Sequence, residues 1–301
     1  MQTLNPTLTH LDDRSQLRLE RRFAHPLAKV WRALTQPTQL NQWFPFDVEI
    51  ELRLGSKVRF IEKGTQEPSS DGEITELDPP RLLAFTWYED LLRWELQPDG
   101  DGCRLIFTHT FADRAGAASF AAGWQVCLDA MAEVLDGQPI DEAAYGGPEW
   151  RRQMAALHEA YIDALGLSAG SAESTPTGWQ VRFERQLTKP IDQAWARLTG
   201  GSEPTVGSPP PNRFTTGAIQ AALVTTVEAP NRLEYEWQVA DRPAGQVRWE
   251  LAQGTGHGAR LILTQTGSNE WADQQAIALA AWEQEIEHFA KGLANRMNYP
   301  K

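Results

Sequence analysis

The amino-acid sequence predicts an α+β protein built as two tandem copies of one domain, each a twisted antiparallel sheet wrapped around a long C-terminal helix. Three observations carry this reading. The chain repeats itself in four colinear blocks offset by about 160 residues, a period too long for a solenoid and therefore the mark of a duplicated domain. Within the first copy, short runs alternate apolar and polar residues at period 2, as half-buried strands do. The copy then closes on one long stretch of helical period. At 301 residues the chain also has the length of two ordinary domains.

The repeat is visible residue by residue. Residues 17–37 (LRLERRFAHPLAKVWRALTQP) align without a gap on 181–201 (VRFERQLTKPIDQAWARLTGG). PRLLAFTW at 80–87 matches PNRLEYEW at 230–237, and LRWEL at 92–96 matches VRWEL at 247–251. RLIFTHT at 104–110 matches RLILTQT at 260–266. In the last block Trp124, Leu128, Met131 and Leu135 correspond to Trp282, Ile286, Phe289 and Leu293.

In order along the first copy, Leu17, Leu19, Arg21 and Phe23 alternate with Arg18, Glu20 and Arg22, which predicts a strand. Pro26 opens a helix carrying Val30, Trp31 and Leu34, and Pro37 opens a shorter one ending near Trp43. Strands are expected at 46–52, 57–62, 72–77, 82–88 and 91–97. A seventh, 103–110, follows the DGDG turn at 99–102. The segment 115–135 is the long helix. A sheet of this size cannot cover its own apolar face, and the long helix is the element large enough to do so. The gap between a twisted sheet and that helix is a ready-made hydrophobic pocket.

The boundaries follow from composition: an N-terminal tail at 1–14, a first domain at 15–140, a connector at 141–177 and a second domain at 178–299. The connector joins a helix at 148–165, with Trp150, Met154, Leu157, Tyr161 and Leu165 at helical spacing, to a small, polar linker (LSAGSAESTPTG, 167–178). The second copy has nothing that matches the segment from Trp43 to Glu62 and carries GSEPTVGSPPPN (201–212) instead.

VWRALTQPTQLNQWF (30–44), ITELDPPRLLAFTW (74–87), RLIFTHT and GWQVCLDAMAEVL (123–135) together resemble the family of homologues of the activator of the heat-shock-protein-90 ATPase. That family lies in the START/birch-pollen-allergen-like (SRPBCC) superfamily. The resemblance covers about residues 15–137 and, more weakly, about 178–298. It implies the helix-grip fold for both copies. For function it implies less, because the superfamily holds lipid and hormone carriers, polyketide cyclases, ring-hydroxylase subunits and co-chaperone domains. It supplies no catalytic residue that carries over to this chain.

Composition excludes several classes. The net charge of −12, from 28 basic and 40 acidic side chains, repels a phosphate backbone, so nucleic acid is not an expected partner. No run reaches the roughly 18 apolar residues of a membrane span, and the first 13 residues lack the basic-then-apolar order of a signal peptide, so membrane insertion is not expected and the expected compartment is the cytoplasm. Cys103 and Cys127 have no CxxC or Cys/His clustering, and the six His are scattered without ligand spacing, so no metal and no other cofactor is expected. GxSxG, HExxH and phosphate-cradling loops are absent, and the chain gives no positive argument for an enzyme. Glu283, Glu285, Glu287 and His288 read as a solvated helix face.

The 12 Trp need deep cores or an aromatic-lined cavity. Trp87, Trp94, Phe107 and Trp124, with Leu128 and Met131, are candidates for a cavity lining, against simple core packing. Trp43 and Phe46 lie near the expected pocket mouth. Arg21, equivalent to Arg185, falls on the apolar side of its strand. It either pairs with a carboxylate or backbone carbonyls or anchors a ligand carboxylate or enolate. His109, replaced by Gln265 in the second copy, shares parity with Leu105 and Phe107, as a hydrogen-bonded core residue or a proton-transfer group.

The expected function is binding of a small hydrophobic or aromatic molecule in the first domain, with the second domain mainly structural. One alternative is a protein-interaction module whose partner is a chaperone or another protein. The other is a cyclase- or hydrolase-like enzyme using Arg21 and His109 in the same cavity.

Overall fold

A computed structural model describes residues 5–140, 146–256 and 258–295. Residues 1–4 of the expected tail, 141–145 of the expected connector, and His257 and 296–299 of the expected second domain lie outside the described residues. The chain divides into two compact units, 1–151 and 152–301.

The first unit begins with β1 (Thr7–Leu11) and β2 (Arg14–Phe23), then α1 (Leu27–Thr35) and α2 (Pro37–Trp43). α1 ends at Gln36, which is extended (φ −90°, ψ 118°) because the following proline clashes with a helical conformation there. Pro37 then starts α2, where its missing N–H costs nothing. The Trp43 indole N–H donates to the Ala33 carbonyl at 2.9 Å and pins α2 to α1. Strands β3 (Phe46–Ile50), β4 (Lys57–Glu62), β5 (Pro68–Asp78), β6 (Leu82–Trp87), β7 (Asp90–Asp99) and β8 (Gly102–Phe111) follow, and α3 (Ala117–Leu135) closes the unit. The eight strands form one antiparallel sheet in the order β1-β2-β8-β7-β6-β5-β4-β3.

Register puts the apolar parity of β2, β6, β7 and β8 on one face. Leu17 pairs with His109, Leu19 with Phe107, Trp94 with Phe107 and Leu83 with Trp94. Opposite them, α3 buries Ala118, Ala121, Trp124, Leu128, Met131 and Leu135. The alanines of its first half keep the helix close to the sheet, and the larger residues fill the space as the sheet twists away.

The second unit holds α4 (Pro148–Leu165) from residue 152 onward, β9 (Ser171–Thr175), β10 (Gly178–Gln186), α5 (Ile191–Thr199), β11 (Gln220–Glu228), β12 (Arg232–Val239), β13 (Arg242–Gln253), β14 (Ala259–Ser268) and α6 (Gln274–Asn295). Its six-stranded sheet runs β11-β12-β13-β14-β10-β9. Among the described residues no counterpart of α2, β3 or β4 exists. A coil and the single 3-10 turn Asn212–Phe214 stand in their place. The sheet therefore ends at β11, whose register slips on both sides of Val224. The coil closes over that point: Gly207 N–H donates to the Val224 carbonyl and Val224 N–H to the Ser208 carbonyl, each at 2.9 Å.

Four local expectations are corrected. Thr7–Leu11, in the expected tail, and Ser171–Thr175, in the expected linker, are edge strands paired to β2 and β10. The buried line of α4 runs through Ala155, His158, Tyr161 and Ile162, offset from the expected stripe, because His158 is buried against the Gln186 carbonyl. Glu287 is not on a solvated face, since it pairs with buried Arg185. No helix among the described residues is long and apolar enough to cross a membrane.

Candidate functional site

In the first unit the aromatic residues of β3, β4, β6, β7, β8, α2 and α3 meet in one continuous cluster. Trp94 and Phe107, cross-strand partners, lie with ring centroids 4.1 Å apart. Trp124 packs on Phe107 at 4.6 Å and edge-on to Trp94 at 5.5 Å. Trp43 meets Trp94 edge-on at 5.5 Å. It is buried, so its place is under the α1–α2 corner rather than at an opening. Leu128 and Met131 are fully buried on α3. Phe44, Phe60 and Phe85, not singled out from the sequence, complete the cluster: Phe44 reaches Phe60, Phe85, Trp87 and Trp124 at 5.7–6.4 Å. The alternation of Val58 with Phe60 and of Leu83 with Phe85 was their available signal.

Trp87 and Phe46 differ from the rest in being half-buried. The Trp87 ring contacts Phe46 at 5.5 Å, Phe44 and Phe60 at 6.1 Å, Trp124 at 6.0 Å and Tyr88 at 6.2 Å. Tyr88 occupies the β6–β7 turn in a left-handed conformation (φ 53°) and is 58% exposed. The close approach of β5 to β6 depends on Gly72, since a Cβ there would lie 1.9 Å from the Thr86 carbonyl oxygen. The Trp87 indole N–H is itself buried and has no hydrogen-bond partner among the described residues. An indole nitrogen is only a donor, and an unmet buried donor costs on the order of 1–3 kcal/mol.

His109 is fully buried and engaged at both ring nitrogens. Nδ1 accepts the indole N–H of Trp124 at 3.1 Å. The proton therefore sits on Nε2, which donates to Asp90 Oδ2 at 2.9 Å. Arg14 anchors the far side, donating to Asp90 Oδ1 at 3.4 Å and to the Glu89 carbonyl at 2.6 Å. Burial pushes the His109 pKa below the ordinary histidine value, against the opposing pull of Asp90. This histidine holds Trp124 in place and has no nitrogen left for a substrate.

Arg21 is ion-paired, with Nη1 2.5 Å from Asp129 Oδ1 on α3. Its place is the far end of the sheet face from Trp87, since it pairs with Leu105 while His109 pairs with Leu17. Arg21 and His109 are thus four residues apart along β8's partners and do not converge on one point. Burial raises both thiols, Cys103 to about 11 and Cys127 to about 12, which keeps them protonated and weakly nucleophilic. Among the described residues no three His, Cys, Asp or Glu side chains gather as a metal site.

The second unit repeats the arrangement with the indoles equivalent to Trp87, Trp94 and Trp124 all hydrogen-bonded. Trp237, the counterpart of Trp87, is 1% exposed and donates to the Thr266 carbonyl at 2.8 Å. Trp249 and Tyr235 both donate to the Phe214 carbonyl, at 3.1 and 2.7 Å. Trp282 donates to Gln265 Oε1 at 2.5 Å. The 3-10 turn thus plugs the end of the interior that β3 and α2 cover in the first unit.

A sequence model described as "Activator of Hsp90 ATPase homolog 1-like protein" matches residues 24–136 and again 173–294. None of the curated proteins matches the chain. Among solved structures, CalU16 from Micromonospora echinospora is 21% identical over 54% of this chain and 96% of its own, with a TM-score of 0.43. EF2215 from Enterococcus faecalis is 20% identical over 53% and 91%, with a TM-score of 0.42. DynU16, from the dynemicin biosynthetic locus, is 16% identical over 95% and 100%, with a TM-score of 0.39. With the family's sequence pattern present twice and most of the chain inside the two matches, this protein belongs to the activator of Hsp90 ATPase homolog 1-like family, as a tandem duplication.

Proposed function

We propose that the first unit binds a small hydrophobic or aromatic molecule at the open side of its aromatic cluster, between Phe46 on β3 and the Trp87–Tyr88 end of β6. The unmet indole N–H of Trp87 is the observation that carries this reading. Five aromatic rings pack around that indole, and two of them, Phe46 and Tyr88, reach solvent. A ligand with an apolar body and one acceptor atom satisfies both features: its body covers the half-exposed rings and its acceptor takes the N–H. The contrast with Trp237, buried and bonded, supports assigning this role to the first unit and not to the interior of the second. His109 and Arg21 support the site by positioning Trp124 and α3, which argues for binding without acid–base chemistry.

The test is a tryptophan-fluorescence and thermal-shift screen of the full chain against flavonoids, fatty acids and other aromatics. Trp87→Phe keeps a ring and removes the donor, so a hit bearing an acceptor atom should bind about fivefold or more weakly to that variant. A hit that binds wild type and Trp87→Phe equally, or the absence of any hit, overturns the assignment. The second result would turn attention to a protein partner.

A further inference from the structure

The coil that replaces α2, β3 and β4 in the second unit leaves a cleft of about 270 Å³ between α5, the 3-10 turn and α6. Arg197 from α5, Asn212 and Arg213 from the turn, and Glu285, His288, Phe289 and Gly292 from α6 line it. None of these residues belongs to a strand, so the cleft lies outside the space between sheet and helix. The α6 residues at 285, 288, 289 and 292 share one face at i, i+3, i+4 and i+7. In the first unit α2 packs on the corresponding helix. Arg213 Nη1 donates to the Arg197 carbonyl, which brings its guanidinium to the C-terminal end of α5, beside the Arg197 side chain's own helix turn.

We propose that this cleft binds a small molecule with an oxyanion group, a carboxylate or a phosphate, attached to an apolar body. Arg213, with Arg197, His288 and Asn212, lines the cleft beside a single carboxylate, Glu285, in a chain whose net charge is −12. A concentration of forked donors of this kind suits an oxyanion, which accepts paired N–H bonds. The half-buried Phe289 ring gives the body of the ligand an apolar wall, and Gly292 leaves that wall open. The volume is just under the roughly 300–1,000 Å³ of pockets for drug-sized ligands, so the ligand is small. This role is separate from the first unit's aromatic site and extends the second unit beyond a structural part.

The experiment follows the His288 ring resonances of the full chain by NMR, identified by their loss in His288→Gln, during titration with benzoate, phenyl phosphate and neutral benzamide. Benzoate or phenyl phosphate should give a saturable shift, and the stronger of the two tells carboxylate from phosphate; benzamide should give none. Arg213→Met should weaken the effective probe about tenfold, and Glu285→Gln, which removes the one repelling charge from an exposed position, should tighten it several-fold. Glu285→Gln leaves the turn intact, so its effect stands even where Arg213→Met loosens the end of α5. Trp87→Phe should change nothing at His288. Equal shifts with benzamide, no saturable shift with either anion, or affinities unmoved by both cleft variants would overturn the proposal.

Discussion

Trp282 on α6 donates its indole N–H to Gln265 on β14 in the place where Trp124 of the first unit donates to His109. The two copies have kept one hydrogen bond between long helix and sheet while exchanging the acceptor, an imidazole in one and an amide in the other. The acceptor is what the fold requires at this position, and the titratable ring is a particular of the first unit.

Gln should therefore replace His109 at modest cost. His109→Gln keeps an acceptor for Trp124 and a donor for Asp90, with an expected loss of about 1 kcal/mol or less in urea denaturation of the first unit. His109→Leu leaves the Trp124 N–H unmet and Asp90 without its partner, and should cost about 2–3 kcal/mol.

His158 should make the second unit acid-sensitive. Burial, with the nearby Arg185 charge, lowers its pKa to about 4. Unfolding releases it to about 6.5, so between those values the unfolded chain binds the extra proton. Stability from this group is present above pH 6.5 and is lost as pH falls toward 4, to a total of about 3 kcal/mol. The difference in stability between wild type and His158→Gln, measured from pH 7 to pH 4, should change by that amount. A constant difference would show that His158 titrates normally.

Arg185 and Arg21 hold equivalent positions and should respond differently. Arg185 is buried, with Nη2 2.6 Å from Glu159 and Nε 2.7 Å from Glu287. Arg185→Met strands two largely buried carboxylates, at an expected cost of about 3–5 kcal/mol. Asp129, the partner of Arg21, is one-third exposed and can return to water, so Arg21→Met should cost about 1 kcal/mol. Denaturant midpoints of the two variants give the comparison.

The indoles of Trp87 and Trp237 supply a matched pair. Removing the N–H from Trp237 leaves the Thr266 carbonyl short of a donor, and Trp237→Phe should cost about 1–2 kcal/mol beyond the effect of the smaller ring. Trp87→Phe removes a donor that has no partner and should lose only the packing contribution. Thermal denaturation of each variant decides whether the contrast between the copies is energetic as well as geometric.

The framework was legible because duplication wrote it twice. Alignment of the two LRWEL-like strands and of Trp124 with Trp282 located the sheet face and the helix stripe, and the missing counterpart of Trp43–Glu62 located the lost hairpin. β1 and β9 were not legible, since TLTHL and SAEST have no buried face and pair through their backbones alone. Glu287 looked solvated from the EQEIEH pattern because its partner Arg185 lies 102 residues away. The site was half legible: residue type and parity placed Trp87, Trp94, Phe107 and Trp124 on the inner face. Which indole lacked a partner depends on carbonyls of neighbouring strands, a relation that no spacing in the sequence encodes.

The slipped register around Val224 has a consequence for how the protein behaves in a crowded solution. A copy that sheds its outer two strands exposes a long, newly unpaired edge, and such an edge is a template on which other chains stack. Here the slips on either side of Val224 interrupt the row of free backbone groups, and Gly207 and Ser208 occupy the Val224 carbonyl and N–H respectively. Shortening the sheet and blunting its rim therefore go together, and the border of the shorter sheet offers no continuous row of backbone groups at Val224 for a neighbouring chain to pair with.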